Sequence, residues 1–218
     1  TFDKGCNFKN KNVVVYARNI AFKIAKDLGL KYFCVLDDDY SIFAYRFDGN
    51  LDYIEGKVYE IKNLDKVFIE MIKFLETDKR ILTIAIAQGG DFIGGKYSRL
   101  AERVKLIRKA MNFFIFSTER EFKFYGLLNE DTVTYTFLGS QGYLFFTTNQ
   151  ISLRQEVTQI NTGGLTDAYK EYGTYVKSFF SILYNPSSVK IYIIKHVFWR
   201  LHHLVKWNLT VPKIIPQE

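Results

Sequence analysis

Apolar residues along this chain alternate between helical spacing and short unbroken runs. Val13–Tyr16 is a β-branched run that predicts a strand. Ala21, Ile24, Ala25 and Leu28 then recur at helical spacing, with Lys23 and Lys26 opposite, and Gly29 is a natural stop. Tyr32 to Leu36 is unbroken and predicts a strand over 31–36 that is buried on both faces. Such strands lie centrally in parallel sheets with helices over them, and Cys34 inside the run reads as a buried thiol. The run ends in Asp37, Asp38 and Asp39.

Further on, residues 42–47 and 51–61 predict two strands of a hairpin around Asp48-Gly49-Asn50. Leu64, Val67, Phe68, Met71, Ile72 and Leu75 make one apolar stripe, so 64–75 reads as a helix. Residues 81–87 predict a buried strand that opens into QGGDFIGG, 88–95, and a basic helix over about 98–110. Strands are expected at 112–117, 132–138 and 143–148. A long helix over 166–184 places Tyr169, Tyr172, Val176, Phe179 and Leu183 on one face, and Asn185-Pro186 ends it. Residues 189–194 read as a strand and 196–207 as a short aromatic helix. No internal repeat or linker breaks the pattern. The expectation is a single α/β domain over 1–218, with its ligands beyond the carboxyl ends of the strands. DDD and QGGDFIGG both fall there.

Composition narrows the class. The chain has 218 residues, 48 % apolar and 24 % charged, which fits a globular fold with a substantial core. A net charge of +7 and a pI near 9.2 favour polyanionic partners: nucleic acid, nucleotide phosphates or anionic lipid. Two cysteines make no disulfide framework and fit a reducing compartment. No apolar stretch of transmembrane length and no signal-peptide pattern is present, so no membrane partner and a cytoplasmic location are expected.

Three consecutive like charges at the end of an apolar run repel each other unless something positive sits there. Carboxylate oxygens at Asp37 and Asp39 suit Mg²⁺ or Mn²⁺, which commonly takes one or two carboxylates plus substrate phosphates. The alternative is a solvated acidic loop. Arg18 and Asn19 open the helix that leads into that strand. An arginine at a helix start suits phosphate, though it also reads as a surface side chain. The glycines of QGGDFIGG allow close ligand approach or a tight turn. That loop matches neither G-x-x-x-x-G-K-[ST] nor G-x-G-x-x-G, which argues against a P-loop enzyme or a nicotinamide dehydrogenase. In LLNEDTVTY, 127–135, Glu130 or Asp131 at a strand edge could take a proton from an acceptor hydroxyl, or belong to a polar turn. His202 and His203 sit in WRLHHLVKW, where one could ligate metal or phosphate and a packing role is the alternative. HExxH, CxxC and G-x-S-x-G are absent, so zinc and serine-hydrolase chemistry lack support.

ARNIAFKIAKDLGLKYFCVLDDDY resembles the segment of GT-A nucleotide-sugar glycosyltransferases that leads to their D-x-D metal site. RKAMNFFIF, LLNEDTVTY, QEVTQINTGGLTDAYKEYGTYVKSF, NPSSVKI and LHHLVKWNLTVPKI, in that order, resemble the TET-associated glycosyltransferases. The likeness spans roughly 13–214. It implies a GT-A-like, mixed and mostly parallel sheet flanked by helices. It implies Mn²⁺ or Mg²⁺ on Asp37 and Asp39; His202 is the histidine that the residue reading adds as a candidate late ligand. Arg18, Asn19 and Asp38 would meet a nucleotide-sugar donor, a UDP-sugar first of all. Gly89, Gly90 and Asp91 would line the donor-sugar pocket, and Asp131 or Glu130 would be the base. Phage members are proposed to glycosylate hydroxymethylated pyrimidines in DNA, so the expected cytoplasm is that of a host if the chain is phage-encoded. GT-A domains carry a strand–helix–strand unit before this segment, yet only 36 residues precede Asp37. With Thr1 as the start, either a shortened N-terminus or a natural minimal form is expected.

Basic and aromatic residues favour a DNA acceptor. Arg103, Lys105, Arg108 and Lys109 lie in 100–109, and Lys190, Lys195, Arg200 and Lys206 are interleaved with aromatics. Arg154 and the polar run after it, including Gln159, Gly163 and Gly164, are expected near the acceptor. Two other readings stand beside this one. One keeps the transferase and changes the acceptor to a protein or glycan. The other is a non-catalytic nucleic-acid-binding module of the same fold.

Overall fold

The computed structural model describes residues 13–50, 52–54, 59–88, 104–155, 173, 175–195 and 199–211. The chain divides into two compact units, one from 1–28, 122–143 and 159–218, the other from 29–121 and 144–158. The fold class is mixed α/β.

The second unit holds a six-stranded sheet in the order β1-β5-β4-β6-β2-β3. Its strands are β1 (Tyr32–Leu36), β2 (Tyr40–Tyr45), β3 (Tyr59–Glu60), β4 (Ile81–Gln88), β5 (Phe113–Ser117) and β6 (Leu144–Gln155). Only β4 and β6 pair in parallel among the described strands; the other pairings are antiparallel. The sheet is mixed, as expected, but among the described strands its parallel part is confined to the β4–β6 pair. β1 is at an edge of the sheet rather than its centre, and Cys34 is exposed rather than buried. The central place belongs to β4, whose residues from Ile81 to Ala87 are all buried.

Connectivity forces this sheet to curl. β1 and β2 stand four places apart, which is about 19 Å in a flat sheet. Asp37, Asp38 and Asp39 alone join them, and four Cα steps reach at most about 14 Å. Phe43 of β2 accordingly meets Phe113 of β5 with ring centroids 5.8 Å apart. Phe68 of α2 (Leu64–Leu75) closes the cluster against both rings. The predicted stripe of α2 packs here as expected, with Met71 and Leu75 buried in the core beside Ile81, Ile84 and Ile115. Arg120 ties the end of α2 to the sheet. Its guanidinium donates to the carbonyls of Leu75 (2.7 Å) and Ile81 (3.0 Å) and to Glu76 Oε1 (2.6 Å).

β2 and β3 pair antiparallel as expected, but β3 spans only Tyr59–Glu60 instead of 51–61, with Phe47 and Tyr53 joined by an isolated bridge. Asp48 Oδ1 accepts from the amides of Asn50 and Asp52, each at 2.9 Å. The basic helix does not extend over 104–110. Lys105 instead bridges Thr147, and bends follow it.

The first unit contains α1 (Val14–Asp27), α3 (Glu130–Ser140), α4 (Val176–Tyr184), a separate antiparallel pair β7 (Val189–Lys195) and β8 (Trp199–Val205), and a 3₁₀ turn at Trp207–Leu209. Three expectations are corrected in this unit. The Val13–Tyr16 run begins α1 instead of a strand. Residues 130–140 are a helix, not a strand, because α3 is buried from Glu130 to Thr136 and shows no polar stripe. A helix buried all round reads like a strand when its β-branched residues alternate, as Thr132, Val133 and Thr134 do. The 196–207 aromatic helix is the strand β8, zipped to β7 from Val189↔Val205 to Lys195↔Trp199.

Faces also differ from expectation. α1 buries Val15, Arg18, Phe22 and Ala25, while Ile20, Ile24 and Leu28 are exposed. α4 buries Ser178, Phe180 and Ser181 and exposes Phe179 and Leu183. Gly29 ends α1 with φ of +68°, as its sequence position suggested. Tyr169 and Tyr172 lie outside the described residues.

Candidate active site

One end of the mixed sheet gathers the acidic turn. β1 pairs Leu36 with Phe113, and β4 pairs Ala85 with Phe114. Asp37 and Gln88 therefore stand at the same sheet end, flanking the start of β5 about 10 Å apart. β6 runs parallel to β4 with Gln88 opposite Leu153, and Tyr40 pairs with Gln155. So the carboxyl ends of β1, β4 and β6 share one rim with the start of β2. Asp37 is anchored there by its amide, which donates to the Asn112 carbonyl at 3.0 Å. Asp37 and Asp39 are half-buried and Asp38 is exposed. Arg154, near the end of β6, is exposed on the same rim. Among the described residues no group of three His, Cys, Asp or Glu side chains is arranged to hold a metal ion.

Arg46 joins this rim and was not singled out from the sequence. It is buried at the end of β2, and its guanidinium donates to the Gln88 carbonyl. Gln88 is where β4 leads into the glycine-rich loop. One sequence signal was available: Arg46 is the sole basic residue between Lys31 and Lys57.

The first unit holds the other chemistry. Arg18 falls on the buried face of α1 and is 2 % exposed. Its Nη1 lies 2.6 Å from Glu130 Oε1 in the first turn of α3, and its guanidinium sits 5.4 Å from the Phe124 ring centroid. Asn19 clamps the neighbouring backbone. Its amide donates to the Phe124 carbonyl at 3.0 Å and its carbonyl accepts from the Phe124 amide at 2.7 Å. Both residues named for the donor thus hold the segment that enters α3.

Asp131 follows in the same helical turn and is 8 % exposed. Its Oδ1 accepts from the Thr132 amide at 2.6 Å. Carboxylates in a first turn are favoured by the helix dipole. Glu130 and Asp131 differ in circumstance, since protonating Glu130 would dissolve a buried ion pair and protonating Asp131 would not.

Asn129, just before them, adopts the left-handed conformation at φ 57°. Asparagine tolerates this backbone better than most residues. Its Nδ2 donates to Ser181 Oγ of α4 at 2.6 Å and lies 3.3 Å from His203 Nδ1 of β8. His203 is buried, and the half-exposed His202 ring stacks on it with centroids 4.3 Å apart and meets Tyr192 edge-on. Sequence reading picked out the NED carboxylates but not Asn129, whose signal was its place as a left-handed-tolerant residue before two acids. Gly89, Gly90, Asp91, Gln159, Gly163 and Gly164 lie outside the described residues.

No helix among the described residues is long and apolar enough to cross a membrane. Compared with known families, residues 4–164 match the family model described as TET-Associated Glycosyltransferase. Neither a curated protein nor a solved structure matches the chain.

Proposed function

We propose a function from one premise: the chain belongs to the TET-associated glycosyltransferase family and is a glycosyltransferase. The reaction proposed is metal-dependent transfer of a sugar from a nucleotide-sugar donor, UDP-sugar first, to the hydroxyl of a hydroxymethylated pyrimidine in DNA. The observation that carries the site is the rim shared by the Asp37–Asp39 turn and Gln88, whose carbonyl accepts from the Arg46 guanidinium. It is where a nucleotide-sugar would be expected on an α/β sheet.

The donor set at this rim fits a hard cation. Asp37 and Asp39 supply two carboxylates on the sheltered side of the turn, while Asp38 faces solvent. Mg²⁺ and Mn²⁺ take such a pair and leave positions for phosphate oxygens. Bound there, the ion would offset charge on the departing diphosphate. Arg46 adds a cation at Gln88, whose carbonyl accepts from its guanidinium. Asp131 is the base in this reading, because Glu130 is committed to Arg18. Taking the acceptor hydroxyl's proton leaves the oxygen to attack the anomeric carbon as the bond to phosphate breaks.

The test is incubation with UDP-sugars, Mn²⁺ and an oligonucleotide carrying hydroxymethylcytosine. Nucleoside mass spectrometry then reads any added sugar. Transfer that chelator abolishes, and that Asp37→Ala/Asp39→Ala and Asp131→Asn both lose, is expected. Transfer that survives chelator would refute the metal. Sugar appearing on a protein or glycan but never on DNA would refute the acceptor.

A further inference from the structure

The last 47 residues carry most of the chain's excess charge. Residues 172–218 contain Lys177, Lys190, Lys195, Arg200, Lys206 and Lys213 against the single acid Glu218, a net +5 of the chain's +7. No carboxylate occurs between Lys177 and Lys213. The β7–β8 ribbon is the centre of this stretch.

Pairing sorts the ribbon's side chains onto two faces. One face carries the odd-numbered residues, and its base is buried: Val189, His203 and Val205. The other face carries Lys190, Tyr192, His202 and Leu204, with Lys206 continuing it past the strand end. Lys190, Tyr192 and Leu204 are exposed there, and His202 and Lys206 half-exposed. Lys206 stands so near Lys190 that the neighbouring ammonium, through its hydrogen bond and its charge, lowers the Lys206 pKa. Two like charges held together in a stretch without acids call for an anion between them. Tyr192 offers an exposed flat ring beside those cations, and His202, stacked on His203, meets it edge-on with centroids 5.9 Å apart.

We propose that this even-numbered face of the β7–β8 ribbon is a DNA-holding surface, with Lys190 and Lys206 on one phosphate run and Tyr192 stacking a base. The inference rests on the DNA-acceptor reading above and adds where the strand is gripped. Charge complementarity selects a polyanion. Exposed rings beside cations are what unpaired bases stack on, and a two-stranded ribbon is narrow enough to enter a major groove. The ribbon lies C-terminal to the family-matched residues 4–164.

The experiment is fluorescence anisotropy of a labelled oligonucleotide, single-stranded and duplex, titrated with the full chain over a range of salt. Variants are Lys190→Ala/Lys206→Ala, Tyr192→Ala, and Lys62→Ala/Lys66→Ala as a control for charge removed elsewhere. Far-UV circular dichroism verifies folding. Loss of two phosphate contacts should flatten the slope of log K against log salt by ~1.4 on a single strand and ~1.8 on a duplex. Tyr192→Ala should weaken single-strand binding at an unchanged slope. If the chain binds DNA and the Lys190/Lys206 variant keeps the wild-type slope, the ribbon assignment is overturned and the DNA-acceptor reading stands. If the wild type binds no DNA at any salt, that reading falls and takes the ribbon with it. Ribbon variants that lose affinity for phosphatidylserine vesicles while keeping it for DNA would overturn the proposal in favour of a lipid surface.

Discussion

Replacing Arg18 by methionine separates a structural arginine from a ligand-binding one. The guanidinium and the Glu130 carboxylate are 2 % and 6 % exposed, and 2.6 Å apart. At an effective dielectric near 20, a pair at that distance attracts by about 6 kcal/mol. The carboxylate left behind relaxes or takes a proton, so the net loss falls to about 3–5 kcal/mol. For a chain of this length that is a drop in Tm of about 6–20 °C. Lys23→Met provides the contrast. It breaks the Lys23–Asp27 pair, which is only 2.5 Å long but 68 % and 61 % exposed. Solvent screening holds its effect within about 0.5 kcal/mol. The double variant Arg18→Met/Glu130→Leu should recover most of the loss, because no buried charge is left alone. Thermal melts followed by circular dichroism measure all four proteins. If Arg18→Met melts with Lys23→Met, and titration with UDP-sugar shows weaker donor binding instead, Arg18 is a donor ligand and the structural argument is wrong.

Other expectations are simpler to state. Gly139→Ala should destabilise by about 1–3 kcal/mol, read by urea denaturation. Its methyl would land on the Thr210 carbonyl oxygen, and that crowding outweighs the up to about 1 kcal/mol that alanine gains over glycine in a helix. Asn129→Gly should melt higher than Asn129→Ala, since both lose the bonds to Ser181 and His203 but only alanine resists a φ of 57°. Hydrogen bonding to Arg80 holds the Asp78 carboxyl at about 2, below the usual 3.8. A depressed folded-state value means its contribution is complete above pH ~4 and fades as pH falls toward 2. Carboxyl NMR titration should find that midpoint, and Arg80→Gln should raise it.

Elements with one polar and one apolar face were legible in the sequence. α2 shows its stripe because solvent and core fall on opposite sides, and β4 shows as a short apolar run between polar ends. α3 was misread for the opposite reason, since burial on all sides removes the polar stripe that marks a helix. β8 was misread because its aromatic and basic residues also suit a helix, and its partner β7 is what makes it a strand. The exposed apolar rows on α1 and α4 defeated the rule that an apolar stripe faces inward. In the site, the acidic turn and the NED carboxylates stood out as charges in apolar surroundings. The Arg18–Glu130 pair joins residues 112 positions apart, and the Arg46–Gln88 bond joins residues 42 apart. No local pattern records either.

The surroundings of α3 impose an order on synthesis. α3 is finished at Ser140, but much of what covers it arrives later. Ser181 and His203 meet Asn129 at its head, Asn185 bonds the Thr136 carbonyl at 2.9 Å, and Trp207 stacks on Tyr135 with centroids 5.7 Å apart. The 67 residues from Gln141 to Trp207 must still be added, which at ribosomal speed takes about 3–13 s. During that interval the buried acids and threonines of α3 wait without their lid on the nascent chain. The sheet unit, whose last strand ends at Gln155, is complete first. The sheet strands are therefore made before α3 gains its cover, and Asn129, Glu130 and Asp131 reach their final surroundings only once the ribbon has been synthesised.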